Sequence, residues 1–494
     1  MFELILTGIH NVFTLPNLGI SLGGLLVGMV FGALPGFSAV MAVSVMIPFS
    51  YYLRPEGALL MLSGVYCGAI YGGSISAVLI GIPGTPASAP TAMEGIKFTR
   101  RGEGARGLAM ATWASAFGGV ASSVALLLGA PLLAIVALKV GPPEQMMIAI
   151  FGLTIVCTLS KGNVVKGLMV GFFFLTMSCV GLDPRFASAR FTFGMYQLTS
   201  GLPLVPILIG LFSFPEVFGM LKDGLDSQFQ GGKVGRVWPR FDDIRSTLWT
   251  SIKSALLGIG IGIVPAAGPD IASFVSYNSA KNKENHENEE MPNLDGLVAA
   301  ETANNGVTGG SLIPLLTLGI PGSSVAALYL GAMYIHGLIP GPTLFTKYGP
   351  EVYTLLVGFL VINFALIFVG MFVCNFSSKI LQIRRGVLAT LIAVLAVMGA
   401  YAVRSNLMDI AIMFAAGILG YIMKSNNFPL SPVALSMLLG AMLEKTIYQS
   451  LSMTGYSILL IFQRPLTVVF ALFVVASLAY PQIAKLISER RARK

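Results

Sequence analysis

The chain has 494 residues, of which 55% are hydrophobic and only 11% charged, and its formal net charge is +9. An average soluble domain is about 25% charged, so a water-soluble fold of this length is excluded. The basic excess lies in short loops between apolar segments, a membrane-topology pattern, which excludes nucleic acid as a partner.

The apolar runs are continuous rather than alternating, and many reach the ~20 residues that span a bilayer. Examples are 353–378 and 455–480. Lipid leaves backbone groups no partner outside a helix or a closed barrel, so these runs predict an all-α polytopic membrane protein. No Lys or Arg precedes Arg54, so the basic region of a secretory signal is missing and residues 1–34 read as mature sequence. Gly24, Gly28, Gly32 and Gly36 fall four apart, the spacing of a helix-packing stripe.

Next comes the stretch YGGSISAVLIGIPG, from Tyr71 to Gly84. Pro83 removes a backbone donor, and Gly81 and Gly84 loosen the chain. Such a break inside apolar sequence requires protein or a water-filled cavity to satisfy the freed groups. Loop 94–106 then carries Lys97, Arg100, Arg101 and Arg106 and is placed in the cytoplasm. Four apolar segments follow, at 107–138, 145–160, 164–182 and 200–217. The linker 219–247 carries Lys222, Lys233, Arg236, Arg240 and Arg245 and is cytoplasmic as well.

The pattern then repeats. Adding 230 to the first glycine series gives Ser254, Gly258, Gly262 and Ala266, and Pro35 meets Pro265. The phrase returns as TGGSLIPLLTLGIPG, from Thr308 to Gly322, with one extra residue between its landmarks. Asn163 in KGNVVK is matched by Asn406 in RSNLMD, and LPLVP (202–206) by FPLSP (428–432). These landmarks predict two homologous halves, 1–218 and 248–445, joined by the linker 219–247. Arg384 and Arg385 mark another cytoplasmic turn, which puts loop 337–352, the counterpart of loop 94–106, outside. The halves are therefore expected to be inverted. Residues 446–494 add one helix and the basic tail ERRARK, returning the C-terminus to the cytoplasm. The expected total is about 11 transmembrane helices plus two re-entrant, broken-helix hairpins. The polar segment KNKENHENEE (281–290) is expected outside.

Inverted repeats with broken helices at the midplane are a transporter arrangement. The two phrases are read as facing hairpin tips at a substrate site, formed by Gly72, Gly73, Ser74, Pro83, Gly84 and Thr85 with Gly309, Gly310, Ser311, Pro321, Gly322, Ser323 and Ser324. Free N–H groups at helix starts favour anions, and free carbonyls at helix ends favour Na⁺. Asn304, Asn305 and Thr308 cluster uncharged oxygens suited to Na⁺, although an Asn pair also satisfies broken backbone. Asp270 matches Val40 of the first half. An ionisable group at membrane depth reads as functional, here as a ligand for H⁺ or Na⁺, and alternatively as a helix-end residue in headgroup water. Arg54, Lys161, Lys166 and Arg404 lie near expected helix ends, within possible reach of a carboxylate. Cys67, Cys157, Cys179 and Cys374 show no metal or disulfide spacing, and His10, His286 and His336 form no metal set. No P-loop or H-E-x-x-H occurs, and the glycines at 258–262 lack the trailing acid of a dinucleotide site. No enzyme is expected; an intramembrane enzyme, a scaffold subunit and an ion or solute channel are the rival classes.

Three stretches carry a family likeness: GALPGFSA (32–39), YGGSISAVLIGIPGTP (71–86), and ANNGVTGGS (303–311) with its GIPG at 319–322. The chain resembles the large membrane subunit of tripartite tricarboxylate transporters over essentially its whole length. The resemblance implies a secondary transporter of the bacterial inner membrane. It implies as partners a small four-helix membrane subunit and a periplasmic substrate-binding protein, with citrate or a related small carboxylate as substrate. It implies Na⁺ or H⁺ as coupling ion and no other cofactor. The alternative within transport is a carboxylate or ion carrier that needs no binding protein. An elevator-type motion is expected by fold analogy alone.

Overall fold

A computed structural model describes residues 2–476 apart from 36, 138–139, 160–163, 184–185, 187, 224–236, 266, 282–290 and 378–384. Among these residues the protein is helical, save for a two-stranded hairpin pairing Gly181–Leu182 with Ala189–Arg190. The first half runs α1 (Phe2–Val12), α2 (Leu15–Ala33), α3 (Ala39–Ser50), α4 (Pro55–Ile80), α5 (Ala89–Arg100), α6 (Gly104–Ala137), α7 (Pro142–Leu159), α8 (Val164–Ser178) and α9 (Leu204–Asp223). The second runs α10 (Phe241–Ile263), α11 (Gly268–Lys281), α12 (Leu294–Gly310), α13 (Leu312–Leu318), α14 (Ser324–Ile335), α15 (Leu344–Lys347), α16 (Gly349–Cys374), α17 (Arg385–Arg404), α18 (Leu407–Ser425), α19 (Ser431–Met453) and α20 (Ile458–Ile461). Six of these, α2, α4, α6, α9, α16 and α18, are long and apolar enough to cross a membrane.

The core is built on α4 and α12. Every residue from Gly57 to Leu79 and from Gly296 to Gly310 is buried, as expected of helices with no polar face. The glycine stripes explain how their neighbours approach. A Cβ on Gly28 would lie 2.3 Å from the Val65 carbonyl, and one on Gly68 2.3 Å from the Leu25 carbonyl. Gly258 stands likewise 2.3 Å from the Ala303 carbonyl. Backbone therefore packs directly on backbone, α2 along α4 and α10 along α12. Gly36 and Ala266, the last members of the two stripes, lie outside the described residues, as does Asn163.

The contacts of the two halves correspond under two shifts, 230 for the first helix of each pair and 238 for the second. Gly72 faces the Met29 carbonyl and Gly310 the Ile259 carbonyl. The Gly84 N–H donates to the Gly73 carbonyl at 3.2 Å, and the Gly322 N–H to the Ser311 carbonyl at 3.2 Å. The counterpart of Gly72–Gly73 is thus Gly310–Ser311. The literal match at Gly309–Ser311 is displaced by one position, and the extra residue counted from the sequence disappears.

The GIPG phrases stand in re-entrant segments, since Thr99 at the end of α5 returns to the Val78 carbonyl at 2.6 Å and Gly341 after α14 to the Leu316 carbonyl at 3.1 Å, and a second helix pair in each half doubles back as well. Asp243 at the start of α10 pairs with Arg106 at 2.6 Å, and Tyr277 near the end of α11 donates to Glu94 at 2.7 Å. Both ends of the α10–α11 pair therefore sit beside loop 94–106. In the first half, Gly57 at the start of α4 neighbours both Asn17 of α2 and Leu53 after α3, so α2–α3 also returns to its starting end. The physical reason is the break at Leu34–Ser38 or Val264–Ala267, after which a shorter helix doubles back. Each GIPG phrase follows a helix that ends on glycine. Gly81 and Gly319 end α4 and α13 in the left-handed region, at φ +68° and +73°, which glycine adopts without strain. The chain then folds back along its own helix and starts a new one at depth.

One further expectation lies outside the described residues and one is corrected. Lys97 donates to the Met291 carbonyl at 3.5 Å, and the Asn293 N–H to Glu94 at 2.9 Å. Residues 291–293 therefore lie beside loop 94–106, and the segment expected outside, 281–290, falls beyond Lys281 outside the described residues. The run 455–480 is not one helix. Gly455 and Tyr456 take positive φ values, a short helix follows, and the chain resumes at Pro465–Ala476; the tail ERRARK lies outside the described residues.

Candidate functional site

Four helix starts open on one cavity of about 790 Å³. They are Ser38–Val40 at α3, Thr85–Ala87 at the short turn leading into α5, Gly268–Ile271 at α11 and Ser323–Val325 at α14. Two come from each half, and they meet because the breaks touch: Gly84 packs on the Gly32 carbonyl and Gly322 on the Gly262 carbonyl. The starts of α3, α11 and α14 leave first-turn N–H groups without an intrahelical partner and carry a partial positive charge, whereas at Thr85–Ala87 the Thr85 N–H is bonded to Ser88 Oγ at 3.3 Å and Pro86 has no N–H. Ser38 and Ser323 cap their helices by accepting from Met41 and Ala326, each at 3.1 Å, which leaves other first-turn N–H groups for a ligand. The opposite wall comes from α9 (Phe212, Pro215, Glu216) and from Lys424 and residues 427–430 after α18. Lys424 is half-exposed and donates to Glu216 at 2.6 Å.

The structure divides the residues singled out in the sequence. Thr85, Ser323, Ser324 and Asp270 line the cavity, as does Val40, the counterpart of Asp270. Pro83, Gly84, Pro321 and Gly322 form the turns behind the lining. Gly72, Gly73, Ser74, Gly309, Gly310 and Ser311 are buried inside helix packing; Gly309, for example, faces the Ser122 carbonyl of α6. Asn304, Asn305 and Thr308 are fully buried on α12. Asn305 donates to the Asn304 side-chain oxygen at 2.6 Å and Thr308 to the Asn305 carbonyl at 2.6 Å, while Asn304 Nδ2 and Asn305 Oδ1 have no partner.

The end charges are mostly tied to one another. Arg404 forks onto Asp409 at 2.5 and 2.8 Å, Arg190 onto Glu444 at 2.6 and 3.1 Å, and Lys166 holds the Asn426 carbonyl at 2.7 Å. Arg54 precedes α4, and Lys161 lies outside the described residues. Arg404 is thus occupied, and the cation at the cavity is Lys424. Sequence reasoning also missed Glu301, which is completely buried. An acid inside an apolar run was the available signal for it; for Lys424 the signal was its position four residues before the landmark FPLSP.

A polytopic helical protein whose broken helices from both halves open on one cavity has the build of a membrane transport protein. The chain belongs to the tripartite tricarboxylate transporter TctA family, which matches residues 18–435 and comprises large membrane subunits. It is 34% identical, over 89% of its length and 88% of the other's, to an uncharacterized 52.8 kDa protein in the TAR-I ttuC' 3' region of Agrobacterium vitis. It is 32% identical to an uncharacterized protein of the TAR-II ttuC' 3' region of the same organism, over 37% of this chain and 77% of that one. Among solved structures, the transmembrane domain of a cyanobacterium bicarbonate transporter, BicA, covers 87% of this chain and 98% of its own at 14% identity and a TM-score of 0.18; a likeness that slight carries no argument.

Proposed function

We propose that this chain is the translocation subunit of a secondary transporter that imports citrate or a related small carboxylate across the bacterial inner membrane, driven by Na⁺ or H⁺. It works with a small four-helix membrane subunit and with a periplasmic binding protein that delivers substrate. The observation that carries this reading is the convergence of four helix starts and Lys424 on one cavity. A cavity of about 790 Å³ falls in the ordinary range for small-molecule sites. Helix starts and one lysine attract a polycarboxylate without a permanent excess of buried cations to trap it. Two inverted halves meeting at that cavity supply two exchangeable conformations, and the hairpin-bearing part moves as an elevator. The coupling ion binds in the buried polar cluster of α12 that holds Asn304, Asn305 and Thr308, and Asp270 stands apart from it at the substrate cavity.

The test is uptake of labelled citrate into proteoliposomes holding the chain, its small subunit and its binding protein. Saturable accumulation that needs both the binding protein and an inward cation gradient is expected; gradient-independent, unsaturable flux would make the protein a channel. Lys424→Ala is expected to raise the apparent KM about tenfold or more, because a hydrogen bond to a charged group is worth about 1.5–3 kcal/mol. Glu216→Gln, which frees Lys424, is expected to lower it. Equal KM values in all three proteins would remove Lys424 from the site.

A further inference from the structure

Glu301 has no role in the cavity described above, yet it is the most conspicuous charge in the core. Its side chain is fully buried, and among the described residues no Lys, Arg or His lies within ion-pair distance. The hydroxyl of Thr91 on α5 donates to Oε1, and the hydroxyl of Ser115 on α6 donates to Oε2 at 2.8 Å. The side chains of Ser74 and Asn304 also face the carboxylate. Both are completely buried, and neither Ser74 Oγ nor Asn304 Nδ2 closes a hydrogen bond. A lone buried carboxylate with two hydroxyl donors is poorly satisfied, since it has about four acceptor positions and a bare charge in a dry interior is expensive. What this pocket lacks is positive charge.

We propose that Glu301 is the binding site of the coupling cation, a monovalent ion of the size and charge of H⁺ or Na⁺. This rests on the transporter reading above and names the residue that couples it. The hydroxyls of Thr91, Ser115 and Ser74 suit either ion, because each can turn from donor to acceptor. A proton converts the carboxylate to an acid that donates to one of those hydroxyls; Na⁺ takes the carboxylate and the hydroxyl oxygens as ligands. Either way the loaded pocket is neutral. Of the other titratable groups on the packed elements, Arg106 of α6 is paired with Asp243 of α10 at 2.6 Å, and Asp295 of α12 accepts from Thr250. Tyr71 of α4 is bonded to Thr112 at 2.7 Å. Glu94 of α5 is turned onto Lys97, Tyr277 and Asn293. Asp270 of α11 opens on the substrate cavity.

The route of coupling is short. Thr85, Pro86 and Ala87 line the substrate cavity, and Thr91, one turn further along, holds Glu301. Substrate and cation therefore meet opposite ends of one rigid segment. The symmetry-related position does not repeat the site. Under the 238-residue shift, Thr91–Glu301 becomes Tyr329–Ser63, and those two side chains are joined by a neutral hydrogen bond of 2.7 Å. The counterpart of Asn304 is Tyr66, whose hydroxyl fills the space between Ser311 and Ser323 at 3.2 and 3.3 Å. The mirror position is closed by a phenol.

The test uses the reconstituted complex with labelled citrate and the membrane potential clamped at zero. One coupled cation then supports about a tenfold accumulation from a tenfold cation gradient, by equality of the two free energies. One arm imposes a pH gradient without Na⁺, and the other a Na⁺ gradient at equal pH, so the responding arm identifies the ion. In Glu301→Gln the accumulation ratio is expected to fall to about one in both arms, with residual downhill flux indifferent to pH and Na⁺. Accumulation in Glu301→Gln equal to wild type overturns the proposal, as does an accumulation following the square of the gradient for the single-site count. Should Glu301→Gln give no folded protein, Ser115→Ala decides. It is expected to shift the half-saturating cation concentration severalfold, and an unchanged value overturns the proposal. A wild-type complex that neither accumulates nor exchanges citrate or another carboxylate would instead defeat the transporter reading.

Discussion

Gly84→Ala and Gly322→Ala are each expected to abolish uptake, although each adds a single methyl group. A Cβ on Gly84 would stand 2.0 Å from the Gly32 carbonyl and 2.9 Å from the Gly73 Cα; one on Gly322 would stand 2.1 Å from the Gly262 carbonyl and 2.8 Å from the Ser311 Cα. The obstructing atoms are backbone, so no rotamer change relieves them. Overpacking costs about 1–3 kcal/mol even where side chains can yield, and here the turn itself must move. Moving it withdraws Thr85 or Ser323 from the cavity and breaks the hydrogen bond from the turn to its own helix. Binding and transport should therefore fail together in detergent and in liposomes. Gly260→Ala is the control: it lies on α10 between Gly258 and Gly262, and nothing lies within 4 Å of its Cβ position. Uptake by that variant should match wild type. Normal uptake by Gly84→Ala would mean that the tip is not held by backbone contact.

The same glycines mark how far the sequence could be read. Membrane class and helical fold were legible because lipid admits so few backbone solutions. The duplication was legible because a proline and glycines at a break are chemically conspicuous. Register was not, since the packing surface responds to the missing Cβ and not to the letter. Ser311 fills the position of Gly73, and the literal GGS match at Gly309 misleads by one residue. The doubling back of α2–α3 and α10–α11 was missed for a related reason. Both breaks in each half carry Gly and Pro, and only the contacts of Arg106 with Asp243 and of Gly57 with Asn17 show that the first break also returns the chain to its own end. The charged groups were the least legible. Glu301 meets Thr91 across 210 residues, and Lys424 meets Glu216 across 208, so neither role exists until the chain is folded. Arg404 shows the converse: its partner Asp409 is five residues away, and that local pair removes it from the candidates.

Glu94→Ala is expected to destabilise the protein by about 3–5 kcal/mol, the usual penalty for breaking a buried charged network by removing one partner. The Glu94 side chain is 2% exposed and joins three elements. It accepts from Tyr277 of α11 at 2.7 Å, from the Asn293 N–H at the start of α12 at 2.9 Å, and from Lys97 at 2.9 Å. Burial pushes its carboxyl up, but the Tyr277, Asn293 and Lys97 contacts outweigh that and leave it below the ordinary 4.5. A carboxyl depressed by folding contributes stability that is complete above its unfolded value and is lost as pH falls through its folded value. The melting-temperature gap between wild type and Glu94→Ala should therefore be constant above about pH 6 and narrow progressively below pH 4.5, measured by thermal unfolding in detergent. Glu94→Gln should restore only part of the stability, because its amide oxygen can accept from the Asn293 N–H and Lys97 and its N–H₂ can face the Tyr277 hydroxyl, but the charge opposite the Lys97 ammonium is gone. A gap that widens on acidification would show that Glu94 is strained by burial, and that α11 and the start of α12 are held against α5 by other contacts.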